Sequence, residues 1–260
     1  MMTTAIIGAG NMGSALYGGL KAAGKAADVW LCDGQEDKLA QAPANRRLTD
    51  PAKATADCIV LVVKPQSFPD LMTSVGMRWK DSFVISVMAG VGMDTIAKAT
   101  GASAIIRSMP NLGARVRRGI TGWFASPAVT SEQKRHFEDI FSSIGMTVAL
   151  KEESMIDGFT AVAGSGPAYV FLLAELLEKE ATALGIDAAT SASIARELLA
   201  SGSLLLDQGE KGAAAWREAV TSRGGTTEAA LGILKERGFA DIFHDAIAAA
   251  AERSRSLSKQ

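Results

Sequence analysis

The sequence predicts an α/β fold: a doubly wound parallel sheet, followed by an all-α domain. Two observations carry this. Short apolar, β-branched runs alternate with segments of helical spacing through the first half, which describes strands covered by helices on both faces. Strand signals then stop, and alanine- and leucine-rich helical segments continue to the end of the chain. The change of character near Ser154 divides the chain into domains at 1–153 and 154–260, both of ordinary domain size.

The strands are TTAII (Thr3 to Ile7), DVWLCD (Asp28 to Asp33), CIVLVV (Cys58 to Val63), FVISVMA (Phe83 to Ala89) and AIIRS (Ala104 to Ser108). Helical spacing runs from Met12 to Ala23 and from Gln66 to Val75. A further strand at Ile120 to Ala125 leads to a helix at Ser131 to Ile144 and a strand around Met146 to Leu150. In the second half GPAYVFLLAELLEKEATALG reads as one long helix, with Pro167 in a first turn that needs no amide donor. Ala188 to Gly209, the run after Thr226, and Phe239 to Leu257 are further helices.

Composition narrows the function classes. Apolar residues make up 48% and charged residues 21%, with a formal net charge of −1, so neither a nucleic-acid surface nor a disordered acidic tail is indicated. The uninterrupted apolar runs are strand-sized, and no membrane partner is expected. MMTTAIIGAG lacks a cationic segment before its apolar run and reads as a first strand rather than a signal peptide. Cys32 and Cys58 fall in strands without ligand spacing, which predicts buried reduced thiols and a cytoplasmic protein. His136 and His244 lie apart in helical stretches, and no metal site can be assembled from them.

GAGNMG (Gly8 to Gly13) satisfies G-x-G-x-x-G, follows a strand and opens a helix, the context that a Rossmann-type turn requires. Gly8 makes the tight turn, Gly10 admits a pyrophosphate to the backbone, and Gly13 lets the helix lie close to the sheet. Asn11 and Met12 would offer unpaired amides at the positive end of the helix. Asp33 ends the next strand about twenty residues on, where an acid accepts hydrogen bonds from ribose hydroxyls and repels a 2′-phosphate. NADH is therefore favoured over NADPH. Capping of the next turn is the other reading of Asp33.

VVKPQ (Val62 to Gln66), MPN (Met109 to Asn111), AVAGSGPAYVF (Ala161 to Phe171) and VTSRGGTT (Val220 to Thr227) follow in order. With the glycine turn, this set resembles the Δ1-pyrroline-5-carboxylate reductases, which make proline by reducing a cyclic imine. The chain departs from the usual family pattern at Leu112, Gly113, Arg118, Ala163 and Arg223.

The strand ends place Val63, Lys64, Pro65, Ala89, Met109 and Asn111 on the carboxyl edge of the sheet, where cofactors bind. Read from the residues alone, Lys64 is equally a surface lysine, Asn111 a turn cap, and GSGP a plain helix start with Ser165 near its N-cap. The resemblance turns Lys64 and Asn111 toward the cofactor and Ser165 toward the substrate pocket. It also implies that Glu153 touches substrate, where KEES could otherwise be a solvated loop, and it singles out Glu210, otherwise an exposed loop charge. In SRGGTT it implies a carboxylate clamp from the amides of Gly225, Thr226 and Thr227, with the Thr227 hydroxyl beside the ring nitrogen. Hydride transfer to an imine carbon needs no histidine, since a basic nitrogen takes its proton from solvent. The expected partners are a small-molecule substrate and further copies of the chain, as a homodimer or an assembly of dimers through the helical domain. Three alternatives stay open at this point: a β-hydroxyacid dehydrogenase, a reductase of a related cyclic imine acid, and a non-catalytic dinucleotide sensor. The first would need a lysine motif that Lys179 and Lys211 lack.

Overall fold

In a computed structural model, which describes residues 2–257, the first half forms an eight-stranded sheet. Its strands are β1 (Thr4–Ile7), β2 (Val29–Cys32), β3 (Arg47–Leu48), β4 (Cys58–Leu61), β5 (Phe83–Ser86), β6 (Ile105–Met109), β7 (Gly119–Ala125) and β8 (Gly145–Ala149). They lie in the order β3-β2-β1-β4-β5-β6-β7-β8. The order reverses at β1, which pairs with both β2 and β4 in parallel and so opens a crevice at its carboxyl end.

Helices α1 (Asn11–Ala22), α2 (Phe68–Val75), α3 (Met93–Thr100) and α4 (Ser131–Phe141) cover the two faces. Alternate residues of each central strand feed opposite layers. Ile6, Val60, Ile85 and Ile106 pack with Leu16, Leu20, Phe137 and Phe141 on one side. Ala5, Ile59, Leu61, Val84 and Ile105 pack with Phe68, Trp79 and Ile96 on the other. Because both faces are buried, the strands read as continuous apolar runs. Helix α4 opens on a capping box between Thr130 and Gln133, which satisfies two terminal amides reciprocally.

The sheet departs from the expected all-parallel form at β7, which runs antiparallel to β6. The link from Met109 to Gly119 is the cause: a parallel crossover needs about a dozen residues or more and usually a helix. Here the connection is a single 3₁₀ segment, Leu112–Val116. Strand β8 is parallel to β7, with α4 as the crossover. The two-residue β3, helix α3 and the later α8 (Ala213–Ala219) were not anticipated.

The helical half consists of α5 (Met155–Phe159), a π-helical segment (Thr160–Gly164), α6 (Gly166–Ala183), α7 (Ala188–Asp207), α8, α9 (Thr226–Glu236) and α10 (Phe239–Leu257). The long helix α6 starts at Gly166, as the sequence predicts, but α5 and the π segment lead straight into it, so near-continuous helical structure spans Met155 to Ala183, 29 residues. That stretch is long and apolar enough to cross a membrane by length and composition, although no single apolar run in it is. Inside the π segment the Ser165 N–H bonds the Thr160 carbonyl, five residues back. Pro167 has no N–H to give, so a carbonyl of the preceding turn needs another donor. Asn111 Nδ2 supplies one to the Ala163 carbonyl at 2.9 Å.

The chain forms two compact units, one of Met1–Ser165 with the chain from Ala250 on, the other of Gly166–Ala249. By compactness the chain divides after Ser165 and again before Ala250, so that α10 is shared between the units. The second unit has little interior of its own. Among its described residues only Ser191 and Ala195 are buried, while Phe171, Leu172, Leu173, Leu176, Leu204 and Phe243 stand exposed.

Candidate active site

Strands β1, β2, β4, β5 and β6 are mutually parallel, so their carboxyl ends share one edge of the first unit. That edge brings together Gly8 to Gly13, Asp33, Val63 to Pro65, Ala89, and Met109 to Asn111.

Gly8 has φ +111°, a region closed to other residues, and a Cβ there would fall 2.7 Å from the Val62 carbonyl oxygen. A Cβ on Gly13 would run into the Gly8 carbonyl, so α1 can start against the strand only with glycine at this position. Helix α1 has Gly10 at its N-cap, no side-chain cap and no acid in its first turn. Its leading amides, those of Asn11 and Met12 first, are left for an anion.

Asp33 is turned back onto this loop. Its Oδ2 accepts the Ala9 N–H at 2.9 Å and its Oδ1 accepts the Gln35 N–H at 3.0 Å, with Lys38 Nζ at 3.9 Å. It thus caps a turn and braces the glycine loop. Beside it a cavity of about 170 Å³ is lined by Ile7, Gly8, Cys32, Asp33, Gly34, Pro51, Val63 and Leu71. Aliphatic walls with one carboxylate at the rim suit a flat base and its ribose. The Cys32 thiol is pushed up to about 12, by burial first and by Asp33 and Asp50 after it, so it is an inert wall.

Lys64 and Ala89 are exposed at the edge. Asn111 is buried, and its side chain is committed: Oδ1 accepts the Gly113 and Ile120 amides at 3.2 and 3.1 Å while Nδ2 holds Ala163. Of the two roles open from sequence, the structure displays the turn cap. Ser165 is no N-cap either, since it lies in helical conformation after the π segment.

Glu153 is not in a solvated loop. Its Oε1 accepts from Arg107 Nη1 at 2.9 Å and from the Met93 N–H at 2.9 Å. Arg107 is itself buried and reaches Asp157, a pairing that the sequence reading missed. The signal was there: an arginine inside the apolar strand IIRSM needs a buried carboxylate.

The glycine–threonine loop belongs to the second unit. Gly224 takes φ +72°, and Gly225 is the N-cap of α9. The Gly224 amide donates to the Glu228 carboxylate at 2.6 Å and the Gly225 amide to the Ser222 carbonyl at 3.0 Å. Gly225 therefore cannot supply the clamp in this conformation, because its N–H is spent closing the turn. Thr226 and Thr227, first in α9, have amides without intrahelical acceptors. Glu210 is exposed between α7 and α8. Among the described residues no cluster of His, Cys, Asp or Glu could hold a metal.

A glycine turn against an uncapped helix, at the reversal point of a mostly parallel sheet, defines an α/β protein of the dinucleotide-binding class. A profile described as "NADP oxidoreductase coenzyme F420-dependent" matches residues 3–90, and "Pyrroline-5-carboxylate reductase dimerisation" matches residues 153–257. The chain is 32% identical to the Pseudomonas aeruginosa pyrroline-5-carboxylate reductase over 98% of its own length and 97% of that protein's. It is 34% identical to the Escherichia coli enzyme, covering 97% of each. The solved Coxiella burnetii pyrroline-5-carboxylate reductase superposes with a TM-score of 0.90 at 31% identity, covering 100% of this chain and 99% of that one. The chain belongs to the pyrroline-5-carboxylate reductase family. A Plasmodium falciparum pyrroline carboxylate reductase structure with NADP bound, 23% identical, shares the fold with a TM-score of 0.87, covering 99% of this chain and 98% of that one.

Proposed function

We propose that this chain reduces Δ1-pyrroline-5-carboxylate to L-proline with a hydride from NAD(P)H. The observation that carries the proposal is the full-length family match on a chain whose motif-bearing strand ends converge on one edge. The residues fit the cofactor: α1 offers anion-binding amides, and the cavity beside Asp33 has the walls of an adenosine site. When bound, the nicotinamide supplies the hydride.

The protein then has to position, not to protonate. The Thr226 and Thr227 amides take the substrate carboxylate, aided by the positive end of α9. The Thr227 hydroxyl orients the ring nitrogen, while Lys64, Ala89 and Met109 flank the nicotinamide half. The imine carbon gains hydride, the C=N π pair moves to nitrogen, and one solvent proton completes the amine. Orientation of this kind contributes substantially to rate. Ser165, from the GSGP motif, lines the substrate pocket.

NADH is the preferred donor. Asp33 stands at the end of β2 beside the glycine loop, where its negative charge would repel a 2′-phosphate, and Glu36 and Asp37 follow it. The acting unit is a homodimer or an assembly of dimers, and the compartment is the cytoplasm. A helical unit with so little interior needs a partner surface, and a second copy supplies one to the exposed leucines and phenylalanines.

The test is oxidation of NADH and of NADPH with racemic pyrroline-5-carboxylate, comparing wild type with Thr227→Ala. Wild type turns over, prefers NADH, and loses about tenfold or more in kcat with Thr227→Ala. No turnover with either donor defeats the reading. An NADPH preference defeats the role of Asp33.

A further inference from the structure

The nicotinamide edge of the first unit rests on a charge cluster, buried at Arg107 and Asp157 and half-buried at Glu153, that the reaction gives no part to. Arg107, 4% exposed, sits on β6 two residues before Met109. Its Nη1 donates to Glu153 Oε1 at 2.9 Å, and its Nη2 lies 3.8 Å from Asp157 Oδ1. The Glu153 oxygen also takes the first amide of α3, that of Met93. Asp157 Oδ1 accepts the Ser254 hydroxyl at 2.7 Å, and both residues are 7% exposed.

Each of these groups is one step from the cofactor edge. Met93 closes the turn from Met88 to Gly92, which carries Ala89. Gly90 in that turn has φ +72°, and a Cβ there would fall 2.8 Å from Leu257 Cβ and 3.1 Å from its carbonyl oxygen. The last turn of α10 thus backs the loop at Gly90 while Ser254, one turn earlier, is fastened to Asp157. Arg107 joins both carboxylates to the strand that delivers Met109 and Asn111. A buried cation between two carboxylates tolerates little displacement, since loss of one partner strands a charge.

We propose that Arg107, Glu153, Asp157 and Ser254 are positioning residues for hydride transfer. They fix the Met88–Gly92 loop and the Met109–Asn111 strand end at the separation that receives the nicotinamide ring. Glu153 acts through Met93 and Arg107, without touching substrate. This rests on the reading of the carboxyl edge as the reduction site.

The full-length chain is compared with Ser254→Ala, Ser254→Thr and Glu153→Gln. Readouts are kcat, the KM for pyrroline-5-carboxylate, the dissociation constant for NADH by tryptophan fluorescence, and thermal melting. Ser254→Ala, which removes a hydrogen bond to the Asp157 carboxylate, and Glu153→Gln, which removes the charge paired with Arg107, lower kcat about tenfold and weaken NADH about threefold. The imine KM stays within about twofold, as expected when uniform substrate binding is untouched. Ser254→Thr keeps the hydroxyl and restores kcat. A fall in melting temperature with kcat and NADH affinity unchanged makes the cluster merely structural and overturns the proposal. A raised imine KM at constant kcat in Glu153→Gln makes Glu153 a substrate contact and also overturns it. If wild type fails to reduce pyrroline-5-carboxylate, the functional reading falls. The NADH constants of the variants then still decide, and unchanged constants overturn the proposal.

Discussion

Gly8→Ala and Gly10→Ala separate folding from binding within one motif. At Gly8 an alanine must hold φ +111°, which costs about 1–3 kcal/mol for a side-chain-bearing residue. Its methyl would stand 2.7 Å from the Val62 oxygen and 2.9 Å from the Val62 carbonyl carbon, against an unstrained approach of about 3.5 Å. Strands β1 and β4 are joined there by the Val62 N–H to the Ile7 carbonyl at 2.9 Å, so relief means prising the strand ends apart. Overpacking of that kind adds about 1–3 kcal/mol. A total of about 3 kcal/mol lowers Tm by about 6–12 °C in a chain of this size. Gly10 has φ −70° and nothing within 4 Å of a Cβ, so Gly10→Ala shifts Tm by about 2 °C or less. That methyl would cover the exposed amides opening α1, and NADH affinity drops about tenfold or more. Thermal melts and fluorescence titration read both variants. If Gly8→Ala melts with wild type, or Gly10→Ala binds NADH as wild type does, the assignment of strain to one glycine and phosphate approach to the other is refuted.

Asp33→Asn keeps the side-chain shape and removes the charge. The NADPH-to-NADH ratio of kcat/KM rises about tenfold, and an unchanged ratio would show that Asp33 serves only to brace Ala9. His136 in α4 hydrogen-bonds Thr4 Oγ1 through Nε2 at 2.9 Å, and burial holds its pKa below the ordinary histidine value. The unfolded chain therefore takes up that proton first, so stability is complete above the ordinary value and declines as pH falls below it. His136→Gln flattens the acid side of a Tm-against-pH curve, and an unaltered slope would rule this linkage out. Burial raises both thiols, Cys58 further than Cys32. A disulfide-exchange reagent such as Ellman's leaves both unmodified in the native chain and titrates them once guanidinium unfolds it.

Much of the first unit was legible because its signals are local. GAGNMG between a strand and a helix, and apolar runs too short for helices, need only neighbouring residues to interpret. The antiparallel β7 was readable in principle from the short link after Met109 but is masked by a strand composition like that of its parallel neighbours. The start of α6 at Gly166 was legible from GSGP, but the helical turns that lead into it, α5 and the π segment, were not. What joins them to α6 is a π turn and an amide that Asn111, distant in sequence, donates to the Ala163 carbonyl. Arg107 and Asp157 were missed for the same reason, since their pairing spans β6 and α5. In SRGGTT the helix start at Thr226 and Thr227 was legible, and their leading amides have no intrahelical acceptor. The commitment of the Gly225 amide to Ser222 depends on turn geometry that residue identity alone does not determine.

The return of α10 to the first unit makes the second unit an insertion, with one seam after Ser165 and another before Ala250. A gene truncated at the first seam would yield a sheet without the turn that backs Gly90 and without the hydroxyl that fastens Asp157. Any exchange of the second unit therefore has to preserve the continuity of α10 across the seam before Ala250.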